Sequence, residues 1–176
     1  MSRDAQPDAG DGCTRQSVLV VNGSFDDAPI GAGWEASHDT MVVSAPEAPS
    51  QPNVALLGDP AFAVETLTSS PFLIPADATS VVFSFLSKTQ SDVESINILR
   101  LHLVGDGIIR NLTSVSSAQT QWVARTKEMT PSRGSTTDMF FFGKSVRLRF
   151  ESRNASLQAL ALWAIDSITV DITTCE

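Results

Sequence analysis

Apolar and polar residues alternate along most of this chain with a period of two. In the segment 98–104 every second residue is a leucine, and in the segment 145–151 three apolar residues alternate with two arginines and a glutamate. Successive side chains of a β-strand point to opposite faces, so this period predicts strands with one buried face. The segment 80–86 is apolar at both parities, which predicts a central strand.

Further short runs of β-branched and apolar residues predict the remaining strands: 18–22, 34–37, 41–44, 53–57, 62–68, 108–112, 121–126 and 163–170. Turn-forming residues separate them, such as the three prolines in 45–52 and the Asp106-Gly107 pair, which predicts a tight hairpin turn. Only the segment 154–162 has a pattern that fits a short helix. About ten strands joined by turns predict an antiparallel sandwich or barrel, so the fold class is all-β.

The composition is that of one folded domain. The 176 residues are 42% hydrophobic and 18% charged, which is enough to bury a core and excludes general disorder. We expect a flexible acidic tail over 1–15, with no apolar core of a signal peptide, and a single domain over 16–176. The net charge of −8 argues against nucleic acid and against an anionic membrane surface. No apolar run approaches the roughly 20 residues of a membrane helix, so membrane insertion is not expected.

The two cysteines lie at opposite ends of the chain, at Cys13 and Cys175. A metal site would need clustered ligands, so this spacing favours a disulfide, with two unrelated buried thiols as the alternative. An antiparallel ladder through the bridge would pair the run 18–22 with the run 166–170, first strand against last. Closing so large a loop would stabilise the fold by about 5 kcal/mol in the chain-entropy model. The bridge and three Asn-x-Ser/Thr sequons indicate a secreted or cell-surface protein.

Four segments resemble the galactose-binding-like jelly rolls. They are Asn22-Gly-Ser-Phe25-Asp26, Trp34, Val146 to Phe150, and Trp163-Ala-Ile-Asp166-Ser-Ile-Thr-Val170. This group includes carbohydrate-binding modules of the family 4, 9 and 22 type and MAM-like adhesion domains, whose usual pattern opens with Asn-Gly-x-Phe-Glu and closes with Ile-Asp-Asp-Val. The resemblance covers about residues 18–172 and implies an antiparallel jelly-roll β-sandwich. It also implies a non-catalytic recognition module whose partner is a glycan or, alternatively, a cell-surface protein.

In that group a structural Ca²⁺ ion commonly ties the first strand to the last. By position, Asp26 takes the place of the opening acid and Asp166 that of the first closing aspartate. Asn22, which the register would set opposite Asp166, is the third candidate ligand. This sequence departs from the pattern because Asp26 is shorter than the usual Glu and Ser167 replaces the second Asp. Calcium prefers oxygen ligands, but a solvated pair of acids or an aspartate capped by N–H groups is the alternative.

Sugar-binding modules usually hold sugar rings on exposed aromatic side chains. This chain has no tyrosine. Its tryptophans, Trp34, Trp122 and Trp163, fall where the resembling group buries an aromatic, so we expect all three in the core. The loop 127–144 ends in an apolar cluster, which is either a partner-docking tip or a loop base folded onto the core.

The polar side of the inner strands is the other candidate ligand surface. Arg100 and His102 share one strand face, and Arg147 and Arg149 share another. The guanidinium fork suits carboxylates or vicinal hydroxyls, which makes these four side chains the candidate ligand-binding residues. The alternative is a solvated outer face that balances the charge of an acidic protein.

Motifs of catalysis are absent from the sequence. There is no Gly-x-Ser-x-Gly elbow, no His-Glu-x-x-His pair, no phosphate loop and no dinucleotide fingerprint. The two histidines, His38 and His102, have no nucleophile at a recognisable motif spacing. We therefore expect no enzymatic activity.

Overall fold

The computed structural model describes residues 12–18, 20–27, 32–37, 41–58, 64–89, 98–116, 119–131, 136–153 and 162–175. Its strands are β1 Cys13–Val18, β2 Trp34–Ala36, β3 Met41–Ser44, β4 Asn53–Leu57, β5 Val64–Ser69, β6 Phe72–Ile74, β7 Ala78–Thr89, β8 Ile98–Gly105, β9 Ile108–Val115, β10 Val123–Met129, β11 Lys144–Arg153 and β12 Trp163–Cys175, with a one-turn helix α1 Thr136–Met139. Residues 154–161 of the expected helix 154–162 and residues 1–11 of the expected tail 1–15 lie outside the described residues, whereas residues 13–15 belong to β1. Among the described residues, no helix has the length and apolar character needed to cross a membrane.

The strands form two antiparallel sheets packed as a jelly-roll β-sandwich, which confirms the predicted fold class. The first sheet has the order β10-β7-β12-β4-β3, with β1 beside β12. The second has the order β2-β5-β11-β8-β9, with β6 beside β11. Neighbours within a sheet are mostly distant in sequence, so long-range pairing and not local hairpins holds most of the fold together.

The first and last strands pair as the cysteine positions predict. Cys13 and Cys175 form a disulfide, and the register runs from that pair to Val18 opposite Val170. The prediction that this ladder continues to Asn22 opposite Asp166 is wrong. β1 ends at Val18, and a bulge in β12 between Asp166 and Thr169 shifts the register.

The bulge and the turn that faces it explain why the ladder stops. Ser167 and Asn22 both have φ of 53°, in the left-handed region, so Ser167 forms the bulge within β12 and Asn22 lies in a turn. The N–H of Ile168 instead donates to the carbonyl of Gly23, at 2.9 Å. A Cβ atom at Gly23 would overlap the carbonyl oxygen of Ile168, so this close approach requires glycine.

The core lies between the two sheets and follows the predicted alternation. The leucines of β8 at 99, 101 and 103 and the apolar residues of β11 at 146, 148 and 150 are all at most 1% exposed. Phe150 contacts the rings of Trp34 and Phe85, with centroids 6.2 and 5.1 Å away. Burial of each such side chain contributes about 1.5–3 kcal/mol to the free energy of folding, relative to leaving it exposed. Phe141, just after α1, is fully buried in the same cluster, so this part of the loop 127–144 is folded onto the core.

Candidate functional site

The outer face of the second sheet carries a continuous line of polar side chains. Arg149 on β11 stands directly opposite His102 on β8 and Thr68 on β5. The same register places Glu35 on β2 at one end of the line and Asn111 on β9 at the other. We call these five residues the polar row. It crosses five strands, and four spacings of about 4.8 Å give it a length of roughly 19 Å.

The structure brings all four predicted ligand-binding residues to this face. Arg147 lies two residues before Arg149 on β11, and Arg100 lies two residues before His102 on β8. Directly opposite residues and residues two apart on one strand share a face, so the four side chains project from the same side of the sheet. We call the polar row together with Arg100, Arg147, Glu151 and Arg153 the arginine face.

Two glutamates hold most of the arginines of this face. Glu35 pairs with Arg147 at 2.9 Å, whereas Glu151 accepts from Arg153 at 2.6 Å and from Arg100 at 3.5 Å. Arg149 makes no ion pair with any residue that the structure describes. Four guanidinium groups stand against two carboxylates, which leaves an excess of two positive charges on a protein whose net charge is −8.

The centre of the polar row holds hydrogen-bonding groups that the described residues do not use. His102 is 8% exposed, and neither of its ring nitrogens has a hydrogen-bond partner among those residues. The Nε of Arg149 is likewise buried and unpartnered. Glu151 approaches the Nε2 of His102 only to 3.8 Å, which is beyond hydrogen-bonding distance. A buried polar group left without a partner costs about 1–3 kcal/mol, and a ligand would recover this energy where a side-chain rotation brings these enclosed nitrogens within its reach.

Burial lowers the pKa of the His102 imidazole from its ordinary value. The nearby charges of Arg100, Arg149 and Arg153 lower it further, and Glu151 opposes them. His102 is therefore neutral at neutral pH, with one N–H donor and one nitrogen acceptor.

The candidate metal residues lie where the first strand meets the last. Asp166 is fully buried, and its carboxylate accepts hydrogen bonds from the backbone N–H of Ser50 at 2.8 Å, from the Ser50 hydroxyl, and from the N–H of Ser167 at 2.6 Å. Asp26 accepts from the N–H of Asn53 at 3.2 Å. Burial raises the pKa of the Asp166 carboxyl, and the charge of Asp26 adds to this, while the hydrogen bonds from Ser50 and Ser167 oppose it.

Asn22 stands apart from these two carboxylates. Its side-chain amide donates to the carbonyl of Asp27 at 3.0 Å, and its side-chain oxygen accepts the N–H of the same residue at 3.1 Å. The amide thus closes the local turn. The structure brings Asp26 and Asp166 to one place and commits the side chain of Asn22 to another.

The oxygen atoms around Ser50 are of the kind that bind a hard cation, although hydrogen bonds within the protein already satisfy the oxygens of Asp166. The Ser50 hydroxyl contacts both the carboxylate of Asp166 and the carbonyl of Ser24, and it has one proton for these two acceptors. Carboxylate, carbonyl and hydroxyl oxygens are the ligands that Ca²⁺ takes. No group of three or more His, Cys, Asp or Glu side chains arranged for a metal occurs among the described residues. The donor set therefore fits either the capped aspartate or a calcium ion held mainly by oxygens of Asp26, Asp166 and this backbone.

Trp122 corrects the prediction that all three tryptophans are in the main core. Trp34 and Trp163 are buried there, but Trp122 is half-buried on the outer face of the first sheet. Its indole N–H donates to the carbonyl of Glu47 at 3.1 Å, and the ammonium of Lys88 lies 4.9 Å from its ring centroid. The prediction rested on the position of a buried aromatic in the resembling group, whereas here β10 begins at Val123 and Trp122 precedes it.

No family model matches the sequence, and no curated protein matches it. Solved structures match in fold. A family 61 carbohydrate-binding module in complex with β-1,4-galactotriose is 13% identical, with a TM-score of 0.55 over 85% of this chain and 94% of the module. The xylan-binding CBM22-1 domain from Paenibacillus barcinonensis is 16% identical, with a TM-score of 0.58 over 88% of this chain and 94% of the domain.

The chain has the jelly-roll fold of carbohydrate-binding modules. The same fold occurs in the K3 adhesin domain of Lys-gingipain from Porphyromonas gingivalis w83, which is 11% identical with a TM-score of 0.58 over 88% of this chain and 99% of that domain. An arabinose-bound α-L-arabinofuranosidase also matches, at 14% identity and a TM-score of 0.62 over 94% of this chain, but the match spans only 27% of the enzyme. At these identities the likeness establishes the fold and leaves the ligand to be argued from the face itself.

Proposed function

We propose that this domain is a non-catalytic carbohydrate-binding module of a secreted or cell-surface protein, and that its glycan lies across the arginine face. The observation that carries the proposal is the polar row, in which the buried nitrogens of His102 and Arg149 have no partner among the described residues. A row of roughly 19 Å across five strands has room for several sugar rings. The disulfide fits the oxidising compartment in which such a module would work.

Glycan-array binding followed by titration calorimetry on the glycans found tests this proposal. Arg149→Ala and His102→Ala should each weaken binding, by about tenfold or more, because each removes a hydrogen bond at the centre of the row. Arg15→Ala is the matched control, since Arg15 is an exposed, ion-paired arginine on the first sheet. Binding that survives both central substitutions, in protein that keeps its unfolding midpoint, would contradict the proposed site.

We propose further that Ca²⁺ binds between the first and last strands, at Asp26 and Asp166, with the Ser50 hydroxyl and the Ser24 carbonyl beside them. The ion would neutralise two neighbouring carboxylates and would fix the junction of the first and last strands. At a hundredfold excess over Kd it would add about 2.7 kcal/mol to the free energy of unfolding. Chelator should then lower the melting temperature, and Asp166→Asn should remove most of that difference. Calorimetry that detects no calcium binding, with a melting curve indifferent to chelator, would reject the metal.

The second candidate function is a protein-binding adhesion domain. It is favoured by two exposed apolar side chains, Leu73 at 59% and Met139 at 57% exposure, on segments that the hydrogen bond from the N–H of Gly143 to the carbonyl of Ile74 joins. A glycan array without binding, both with and without calcium, together with partner capture that is lost in a Leu73→Ser, Met139→Ser variant, would favour this function over the first.

A further inference from the structure

We infer that the glycan bound by the arginine face is acidic, a polysaccharide that carries carboxylate or sulfate groups along its chain. This inference rests on the proposed carbohydrate-binding function and names the class of ligand for the same site.

The charge distribution is the first argument. A neutral sugar is held by hydrogen bonds and apolar contact and gains nothing from a net charge on the protein. The arginine face nevertheless carries two more positive than negative groups on a protein of net charge −8. A local excess of one sign concentrates ligands of the other sign and speeds their association. An acidic chain is the ligand that this excess favours.

The position of Arg149 is the second argument. Arg147 is held by Glu35, and Arg100 and Arg153 share Glu151, whereas Arg149 has no carboxylate among the described residues. It is nonetheless half-buried at the middle of the row, with its Nε enclosed. A guanidinium fork binds carboxylate and sulfate-like oxygens in pairs, and such charge-assisted bonds are about twice as strong as neutral ones. An anionic group of the ligand would therefore supply the counter-charge that the protein does not.

The hydrogen-bonding capacity beside Arg149 is the third argument. His102 stands directly across from Arg149 in the sheet, and a rotation of its enclosed imidazole would bring an N–H beside the guanidinium. An ionised carboxylate or sulfate only accepts hydrogen bonds, and it can accept from both donors at once. Glu151 lies too far from the imidazole to serve as this acceptor, at 3.8 Å.

The chemistry that the face lacks is the fourth argument. Its described residues on β2, β5, β11, β8 and β9 include no phenylalanine, tyrosine or tryptophan that points outward from the sheet. A stacking platform for the apolar side of a neutral sugar ring is thus missing from the described part of this face. Recognition there has to come from hydrogen bonds and ionic contacts. Acidic sugars make both kinds of contact, whereas neutral sugars make hydrogen bonds alone.

Two pairs of polysaccharides that differ only in charge test the inference. Polygalacturonate is compared with its fully methyl-esterified form, and dextran sulfate with dextran, by titration calorimetry at an ionic strength near 0.15 M, where the Debye length is about 8 Å and distant charges are screened. Asn111 lies in the row and begins an Asn-Leu-Thr sequon, so the protein is produced in a host that does not N-glycosylate. The first pair reports on carboxylates and the second on sulfates.

We expect an acidic member to bind at least about tenfold more tightly than its neutral counterpart, because one charge-assisted contact is worth a factor of this size. Arg149→Ala should remove most of that difference, and Arg149→Lys, which keeps the charge but not the fork, should remove part of it. Arg15→Ala should leave it unchanged. Circular dichroism and the unfolding midpoint establish that each variant is folded.

Each other outcome overturns a different claim. Equal binding of the charged and neutral members, dependent on Arg149, would overturn the acidic ligand and keep the carbohydrate-binding function. Acidic binding that is indifferent to both Arg149 variants would overturn this face as the site. Binding to no polysaccharide of either pair, together with an empty glycan array, would overturn both the inference and the proposed function.

Discussion

Replacing Ser50 by alanine tests what holds the buried aspartate at the junction of the first and last strands. Asp166 is fully buried, so water cannot replace a donor that is removed. The substitution deletes the hydroxyl donor and leaves the backbone N–H groups of Ser50 and Ser167 in place. A hydrogen bond to a charged group contributes about 1.5–3 kcal/mol, so we expect the free energy of unfolding to fall by about 2 kcal/mol.

Urea unfolding at neutral pH, with and without chelator, measures this loss. For a domain of this size a loss of about 2 kcal/mol lowers the melting temperature by roughly 4–8 °C. Ser44→Ala is the matched control, because Ser44 is exposed on the neighbouring strand β3 and its replacement should cost less than about 0.5 kcal/mol. If Ser50→Ala in chelator is as stable as the wild type, the Ser50 hydroxyl does not hold Asp166 and the capped-aspartate account is wrong.

Two further predictions concern stability. His102 has a folded-state pKa below its unfolded value of about 6.5, so the unfolded chain binds a proton first as the pH falls, and the free energy of unfolding should decrease as the pH drops through that value. His102→Gln should reduce the difference in unfolding free energy between about pH 7.5 and pH 5. An unchanged difference would contradict the burial of the imidazole. Gly23→Ala should destabilise the fold by about 1–3 kcal/mol because its Cβ would overlap the carbonyl of Ile168, whereas Gly107→Asn, at a positive φ with open space around it, should cost much less in the same unfolding assay.

The alternation of residues predicted which side chains share a strand face but not which strands are neighbours. Leu99, Leu101 and Leu103 identified the buried side of β8, so Arg100 and His102 had to point outward. That Arg149 lies opposite His102 follows only from the pairing of β11 with β8, and β9, β10 and α1 lie between those two strands in sequence. Nothing in a period of two specifies the partner of a strand.

At the junction of the terminal strands, the sequence predicted the strand pairing but not the local backbone conformation or the contacts of Asp166. The two cysteines predicted the register from Cys13 to Val18 because a disulfide at the end of a ladder fixes every pair beyond it. Ser167, however, has a left-handed backbone conformation, which non-glycine residues seldom adopt. The residues around it in the sequence do not predict this conformation. The role of Ser50 was also missed, because it lies in a proline-rich loop 116 positions from the aspartate it contacts.

The outer faces of the two sheets differ in a way that bears on where a ligand can bind. On the first sheet the loop after β3 packs Ala45 and Ala48 onto Leu56 and Ala164, with Trp122 beside them, and so covers part of that face with a second apolar cluster. A glycan on that face would have to displace this packed loop or bind to the part of the face that the loop leaves uncovered. Among the described residues, the outer face of the second sheet has no such cluster, and its central polar groups have no hydrogen-bond partner there. Since binding is favoured where a ligand completes hydrogen bonds without disrupting packing, we expect the ligand on the second sheet even though that face offers no Phe, Tyr or Trp platform.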